Sequence, residues 1–190
     1  MKAKKTDRRT IYTRNIIKDT FLELLQTKKF EKITITELCK IAEINRGTFY
    51  LHYYDLFDVL DEIFNDFTQD TPCVLEHLFP ENNTDYLECN YPFCQKIHDN
   101  KKYTTIFFDD YLTSYIIDKI SSYSKDKFIA KLREKSSLTF KQAEALFYFQ
   151  INGCLAVNKI IHHNQYKEQD EIRKIIDEFI RNGLKKYLSD

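Results

Sequence analysis

Glycine and proline are scarce in this chain, with three of each among its 190 residues. Both residues interrupt helices, whereas the chain is rich in Leu, Ile, Lys and Glu. Hydrophobic residues make up 43% of the sequence, which is enough to bury a core. We therefore predict an all-α fold, made of one large domain or of a small domain joined to a larger one.

Apolar residues recur at three- and four-residue steps along much of the chain, as expected for amphipathic helices. In the middle of the chain, helical signal runs from about residue 91 to about residue 135, with predicted breaks near Asp109 and Ser124. Three further long helices are predicted over about residues 7–27, 139–163 and 169–188.

Residues 34–53 carry a more specific pattern, two short helices joined by a tight turn. Thr34 and Glu37 have the spacing of a capping box, which predicts the start of the first of these helices. Asn45 follows the turn and is a favourable N-cap for the next helix, which is expected to end near His52. A helix this short is unstable alone and must be held by packing. The residues expected to hold it are Leu38, Ile41, Ile44 and Phe49.

The opposite face of this short helix is polar and aromatic. Such side chains reach phosphate oxygens and base edges when a helix lies in the major groove of DNA. Gly47 lets the backbone approach the duplex, and the amides around it are expected to add affinity for phosphate. The residues predicted on this face are Arg46, Thr48, Tyr50 and His52.

Charge is unevenly distributed along the chain, although its formal net charge is zero. Residues 1–56 carry 12 basic and 7 acidic side chains, whereas residues 57–100 carry 1 and 10. Residues 101–190 carry 16 and 12. The basic N-terminal region is the expected place for phosphates, and a solvated basic tail without a ligand is the alternative.

At this point the chain resembles the TetR family of transcriptional regulators. The matching residues are Thr34-Ile35-Thr36-Glu37-Leu38 and Asn45-Arg46-Gly47-Thr48-Phe49-Tyr50-Leu51-His52-Tyr53, and Asp55 and Leu60 follow at the family's spacing. The match covers about residues 8–68.

The resemblance implies a role for each matching residue. Thr36, Tyr50 and His52 would contact phosphates, and Arg46 and Thr48 would contact base edges, whereas Phe49 and Tyr53 would be structural. The predicted DNA-binding residues are Thr36, Asn45, Arg46, Gly47, Thr48, Tyr50 and His52.

Two positions depart from the family pattern. Glu43 lies in the turn where the family often has glycine, which predicts an ordinary turn conformation that tolerates a side chain. Leu56 stands where the family usually has a lysine, which removes an expected phosphate contact. Lys28, Lys29 and the basic residues of the segment 1–9 are the expected substitutes.

The resemblance also implies two domains, a helix-turn-helix DNA-binding domain at residues 1–54 and a larger helical effector-binding and dimerisation domain at residues 55–190. A homodimer would read a palindromic operator. The stripes of the helices at 139–163 and 169–188 are expected to form an intermolecular four-helix bundle, and packing within one chain is the alternative. The expected function is a repressor that a small-molecule effector releases from double-stranded DNA.

The middle of the chain is rich in aromatic residues, and TetR-like proteins bind their inducer in this region. An apolar cavity with a few Tyr hydroxyls suits a flat hydrophobic ligand, whereas plain core packing is the alternative. The aromatic residues concerned are Tyr86, Tyr91, Phe93, Tyr103, Phe107, Phe108, Tyr111, Tyr115, Tyr123 and Phe128.

A metal- or thiol-responsive regulator is the alternative function. Cys73 and His77, and likewise Cys94 and His98, place a thiol and an imidazole one helical turn apart, and together they have the donors of a zinc site. Cys89 and Cys94 are candidates for a redox pair. The main prediction, a repressor controlled by a small-molecule effector, includes no metal and no cofactor.

No enzyme activity is predicted, because the sequence shows no Ser/His/Asp set, glycine-rich phosphate loop or clustered catalytic carboxylates. A module that binds only protein is a further alternative. No apolar run approaches the roughly 20 residues that span a bilayer, and no signal-peptide pattern follows the charged N-terminus. We expect a cytoplasmic protein whose five cysteines are free thiols.

Overall fold

The structure is a computed structural model that describes residues 8–69 and 101–187. Regular secondary structure in these residues is helical, which confirms the predicted all-α fold. Among them, none of the helices combines the length and the apolar character that a bilayer crossing requires. The helices are α1 (Arg8–Thr27), α2 (Ile35–Ile41), α3 (Arg46–Tyr50), α4 (Leu56–Gln69), α5 (Lys101–Phe107), α6 (Thr113–Glu134), α7 (Phe140–Asn164) and α8 (Gln169–Lys185), with a 3-10 turn at Phe30–Lys32.

The chain divides into two compact units. The described part of the first unit is residues 8–69 and 101–112, which contain α1 to α5. The described part of the second unit is residues 113–187, which contain α6 to α8. The short helices α2 and α3 therefore belong to a unit that also includes α4 and α5.

The first unit is built on a core that joins α1, α2, α3 and α4. Phe30 and Ile33, in the connector between α1 and α2, are buried beneath these helices. Burial of one such large apolar side chain contributes roughly 1.5–3 kcal/mol to stability. The residues with almost no exposed surface are Ile17, Phe21, Leu38, Phe49, Val59, Leu60 and Phe67.

Aromatic residues of α5 and the following loop complete this core. The ring of Phe67 lies 4.8 Å from that of Tyr103 and 5.2 Å from that of Phe107, centroid to centroid. Tyr111 stacks on Phe30 with ring centroids 5.7 Å apart. Core packing accounts for Phe107, which is buried, whereas Tyr103 is only partly buried and Tyr111 is 58% exposed.

The second unit has its own core, in which α6 packs against α7 and α8. The capping box of α7 is present, because Thr139 and Gln142 bond each other's backbone amides. The cluster consists of Phe128, Ile129, Leu132, Ala143, Phe147 and Leu184.

The predicted break near Ser124 is wrong, because α6 continues without interruption from Thr113 to Glu134. The hydroxyl of Ser124 is buried and donates a hydrogen bond to the carbonyl of Ile120 at 2.7 Å. A serine that bonds the carbonyl one turn earlier satisfies its own polar group inside the helix. The predicted break near Asp109 is confirmed, since α5 ends at Phe107.

Candidate nucleic-acid interface

The helix α2 begins where the sequence predicts, at a Thr34 cap. The Thr34 hydroxyl accepts a hydrogen bond from the Glu37 amide at 3.2 Å. The carboxylate of Glu37, however, pairs with the ammonium group of Lys28. Lys28, one of the residues expected to replace a missing phosphate contact, is therefore already engaged in an ion pair.

The turn between α2 and α3 places Glu43 in the left-handed region of the backbone, with a φ of 52°. The prediction of an ordinary turn conformation is therefore wrong. The chain reverses here so that the amide of Ile44 can donate to the carbonyl of Cys39 at 3.0 Å. A side chain in this conformation costs about 1–2 kcal/mol, which glycine avoids.

Asn45 caps α3 as predicted. Its side-chain oxygen accepts from the amide of Gly47 at 2.9 Å, and its carbonyl accepts from the amides of Thr48 and Phe49. These three amides are hydrogen-bonded to Asn45 in this structure, and their contribution to phosphate affinity stays a prediction. Gly47 contributes space, since a Cβ atom there would meet only the Asn45 side chain, at 3.5 Å.

The inner side of α3 is held by buried aromatic rings. Phe49 has no exposed surface, and Tyr53 is almost completely buried, with its ring 5.8 Å from that of Phe49. The structural role expected for both residues fits this placement. Ile41 was expected to help hold α3 by packing, but half of its surface is exposed. Leu38 and Ala42 are the buried apolar residues of this region.

The outer side of α3 carries the predicted polar and aromatic residues. The Arg46 guanidinium lies 5.9 Å from the centre of the Tyr50 ring and donates to the Tyr50 hydroxyl at 3.4 Å. This hydrogen bond raises the pKa of Arg46, so the side chain remains a cation. Thr48 and His52 are partly buried on α3 and the turn that follows it, and Thr36 is exposed on α2.

Two exposed residues of this surface were not singled out from the sequence. Leu51 is 82% exposed and Tyr54 is 83% exposed. Leu51 lies one helical turn after Gly47, and Tyr54 lies four residues after Tyr50. That spacing is a signal that could have assigned both residues to the outer side.

A polar network fixes the position of the turn after α3. The Tyr53 hydroxyl donates to the Glu62 carboxylate of α4 at 2.7 Å, and Arg14 Nε of α1 donates to the same carboxylate at 2.8 Å. Lys18 of α1 lies 3.2 Å from it. Burial acts to raise the pKa of Glu62, but the hydrogen bonds from Tyr53, Arg14 and Lys18 outweigh it and lower the pKa.

The residues of the alternative metal or redox site lie outside the described part of the chain. They are Cys73, His77, Cys89, Cys94 and His98. Within residues 8–69 and 101–187, no group of three or more His, Cys, Asp or Glu side chains has the arrangement of a metal site.

Known proteins similar to this chain were found both in sequence and in structure. No protein-family profile matches the chain. Over 97 residues, the chain is 23% identical to the uncharacterized HTH-type transcriptional regulator YxbF of Bacillus subtilis (strain 168). The aligned stretch is 49% of this chain and 26% of YxbF, so the chain matches about a quarter of that relative's length.

Among solved structures, the chain is similar to that of the dihydroxyacetone kinase operon activator DhaS, with a TM-score of 0.59. The likeness covers 94% of this chain and 99% of DhaS, at 19% sequence identity. At that identity the comparison shows a shared helical fold over nearly the whole length of both chains.

Proposed function

We propose that this protein is a DNA-binding transcriptional regulator of the TetR type that places α3 in the major groove. One observation carries the proposal: α3 buries Phe49 on one side and presents Arg46, Tyr50 and partly buried Thr48 on the other. The names of YxbF, an HTH-type regulator, and DhaS, an operon activator, support the same class.

The chemistry of each side chain on α2, on α3 and in the turn after α3 indicates which part of the DNA it would contact. Arg46 supplies the paired donors that recognise guanine, and Thr48 is short enough to reach an adjacent base edge. Thr36, Tyr50 and His52 carry groups that bond phosphate oxygens. Asn45 shapes the start of α3, and Gly47 opens its surface. All of these residues lie in the DNA-binding domain that we propose at residues 1–54.

Homodimerisation is part of the proposal, because one short helix reads few base pairs. Exposed apolar side chains on α7 and α8 support it. On α8, Ile175 is 65% exposed and Phe179 is 68% exposed, while Leu184 is buried in the unit's own core. On α7, Phe149 and Ile160 are also exposed.

Effector control is the remaining part of the proposal. An effector bound within residues 55–190 would change the spacing of the two DNA-binding units and release a palindromic operator, which is a coupling between two sites. We propose repression as the outcome. The sign of regulation depends on where the operator lies, so the fold shared with an activator does not conflict with it.

Binding to DNA is tested first with random duplex at increasing salt. A nucleic-acid binder loses affinity steeply as salt rises, because each phosphate contact releases counterions. Fragments bound from a random pool then give the operator, which is expected to be a palindrome. Binding that is absent at low salt, or that ignores salt, would remove DNA from the proposal and favour a protein-interaction module.

Replacing Arg46 with alanine is predicted to relax base preference at one position in each half-site, by about 1–3 kcal/mol. Selection of bound fragments with the variant measures this change. Arg133→Ala is the matched control, because it removes the same exposed side chain from α6 in the other unit. An unchanged sequence logo for Arg46→Ala would show that Arg46 does not contact a base.

A further inference from the structure

Leu51 is an apolar side chain in an unusual place, at the end of a helix whose other outward residues are polar, aromatic or glycine. It is 82% exposed, so it contributes almost nothing to the core of its own unit. Its amide donates to the carbonyl of Gly47 at 3.2 Å, so the helical turn continues through it. Leu51 therefore lies one turn beyond Gly47 on the same side of the helix.

The side of the helix shared by Gly47 and Leu51 differs in chemistry from the side carrying Arg46 and Tyr50. Gly47 has no side chain, and the space above it is open except for the Asn45 side chain. The isobutyl group of Leu51 neither donates nor accepts hydrogen bonds. A partner that fits here needs an apolar group to contact Leu51 and negatively charged groups to attract the Arg46 cation.

We propose that Leu51 contacts the C5 methyl group of a thymine in each operator half-site. In the major groove this methyl is the apolar feature of a base-pair edge, and apolar side chains recognise it. The inference rests on the proposed DNA-binding function and deepens it by naming what the apolar part of the surface reads. The Arg46 cation on the same short helix and the basic residues of 1–56 favour duplex DNA over an apolar protein partner as the occupant.

Uracil substitution isolates this contact, because uracil lacks only the methyl group of thymine. In the selected operator, thymines are replaced one position at a time by uracil, and binding is measured at fixed salt. At one position, uracil in a single half-site is expected to lower the affinity of the wild-type protein about fourfold, which is the value of one buried methyl group. Uracil at that position in both half-sites is expected to lower it about 15-fold.

Leu51→Ala is expected to bind the thymine and uracil operators equally, because the variant no longer has the group that contacts the methyl. Its melting temperature should remain within a few degrees of wild type, since the side chain is exposed. Ile11→Ala, which truncates an exposed aliphatic side chain on α1, is the matched control and should keep the full preference for thymine.

The outcomes separate this inference from the function on which it rests. Equal wild-type binding to thymine and uracil at every position overturns the role of Leu51 while leaving DNA binding intact. A Leu51→Ala variant that still prefers the thymine operator over the uracil operator also overturns the role of Leu51 while leaving DNA binding intact. Failure to bind any duplex in a salt-dependent manner overturns the proposed function, and the role of Leu51 with it.

Discussion

Single residues around the turn between α2 and α3 set the conformation from which α3 begins. Glu43 adopts a left-handed conformation in which a glycine would carry no steric cost, while Asn45 uses its side chain to start α3. The turn angle sets the direction of α3, and through it the direction of Arg46. The conformation of one residue therefore affects where the proposed base contacts are presented.

Replacing Glu43 with glycine is predicted to stabilise the protein by about 1 kcal/mol, because relief of the left-handed conformation exceeds the entropy that glycine adds to the unfolded chain. Urea unfolding followed by circular dichroism measures the change. Glu43→Gln is the control, since it removes the charge but keeps the Cβ atom. Equal stability of the glycine and glutamine variants would mean that the turn is not strained.

At the scale of elements, α3 depends on how α1 and α4 are held together. Glu62 of α4 joins Arg14 and Lys18 of α1 to Tyr53, which follows α3 by a few residues. The network therefore holds the turn after α3 against α1 and α4, the two longest described helices of the first unit. Movement of α4 would shift Tyr53, and α3 with it.

The Glu62 network predicts a dependence of stability on pH. The pKa of Glu62 is lowered below its ordinary value of 4.5 in the folded protein, so its stabilisation is present above pH 4.5 and is lost as pH falls through the lower folded value. We expect Glu62→Gln to be less stable than wild type at pH 7, by about 1 kcal/mol, and to lose less stability on acidification.

Unfolding by urea at a series of pH values between 3 and 7 (about the range in which carboxylates titrate) measures both effects. Glu23→Gln, which changes an exposed carboxylate on α1, is the matched control and should follow the wild-type curve. Parallel curves for wild type and Glu62→Gln would contradict the assigned role of this carboxylate.

At the scale of the whole molecule, the proposed function requires two copies. The second unit buries Leu184 of α8 and leaves Ile175 and Phe179 exposed. Leu184 therefore packs in the core of its own unit, whereas Ile175 and Phe179 are available to another chain. Exposed large apolar side chains one helical turn apart, such as Ile175 and Phe179, fit an interface with another chain.

Phe179→Gln is predicted to shift the protein from dimer to monomer and to weaken operator binding strongly, while leaving α8 folded. Sedimentation velocity over a range of protein concentrations measures the association, and circular dichroism checks the helix content. Glu178→Gln changes the neighbouring exposed residue and should remain dimeric. A wild-type protein that is monomeric at micromolar concentration would contradict the homodimer proposal.

Local patterns in the chain were sufficient to predict much of the first unit. The helical periodicity depends on residues three or four positions apart and the caps at Thr34 and Asn45 on residues two or three positions apart, and both caps are present. These features are local, so short stretches of sequence contain the information that sets them.

Other features depend on residues far apart in the chain. The partners of Glu62 are 9 to 48 residues away, and Asp109 accepts a hydrogen bond from the Phe30 amide 79 residues earlier. The continuity of α6 through Ser124, the exposure of Ile41 and the left-handed turn at Glu43 all depend on which surfaces are covered. Periodicity predicts which side of a helix is apolar, but burial requires a second element, and only three-dimensional packing supplies it.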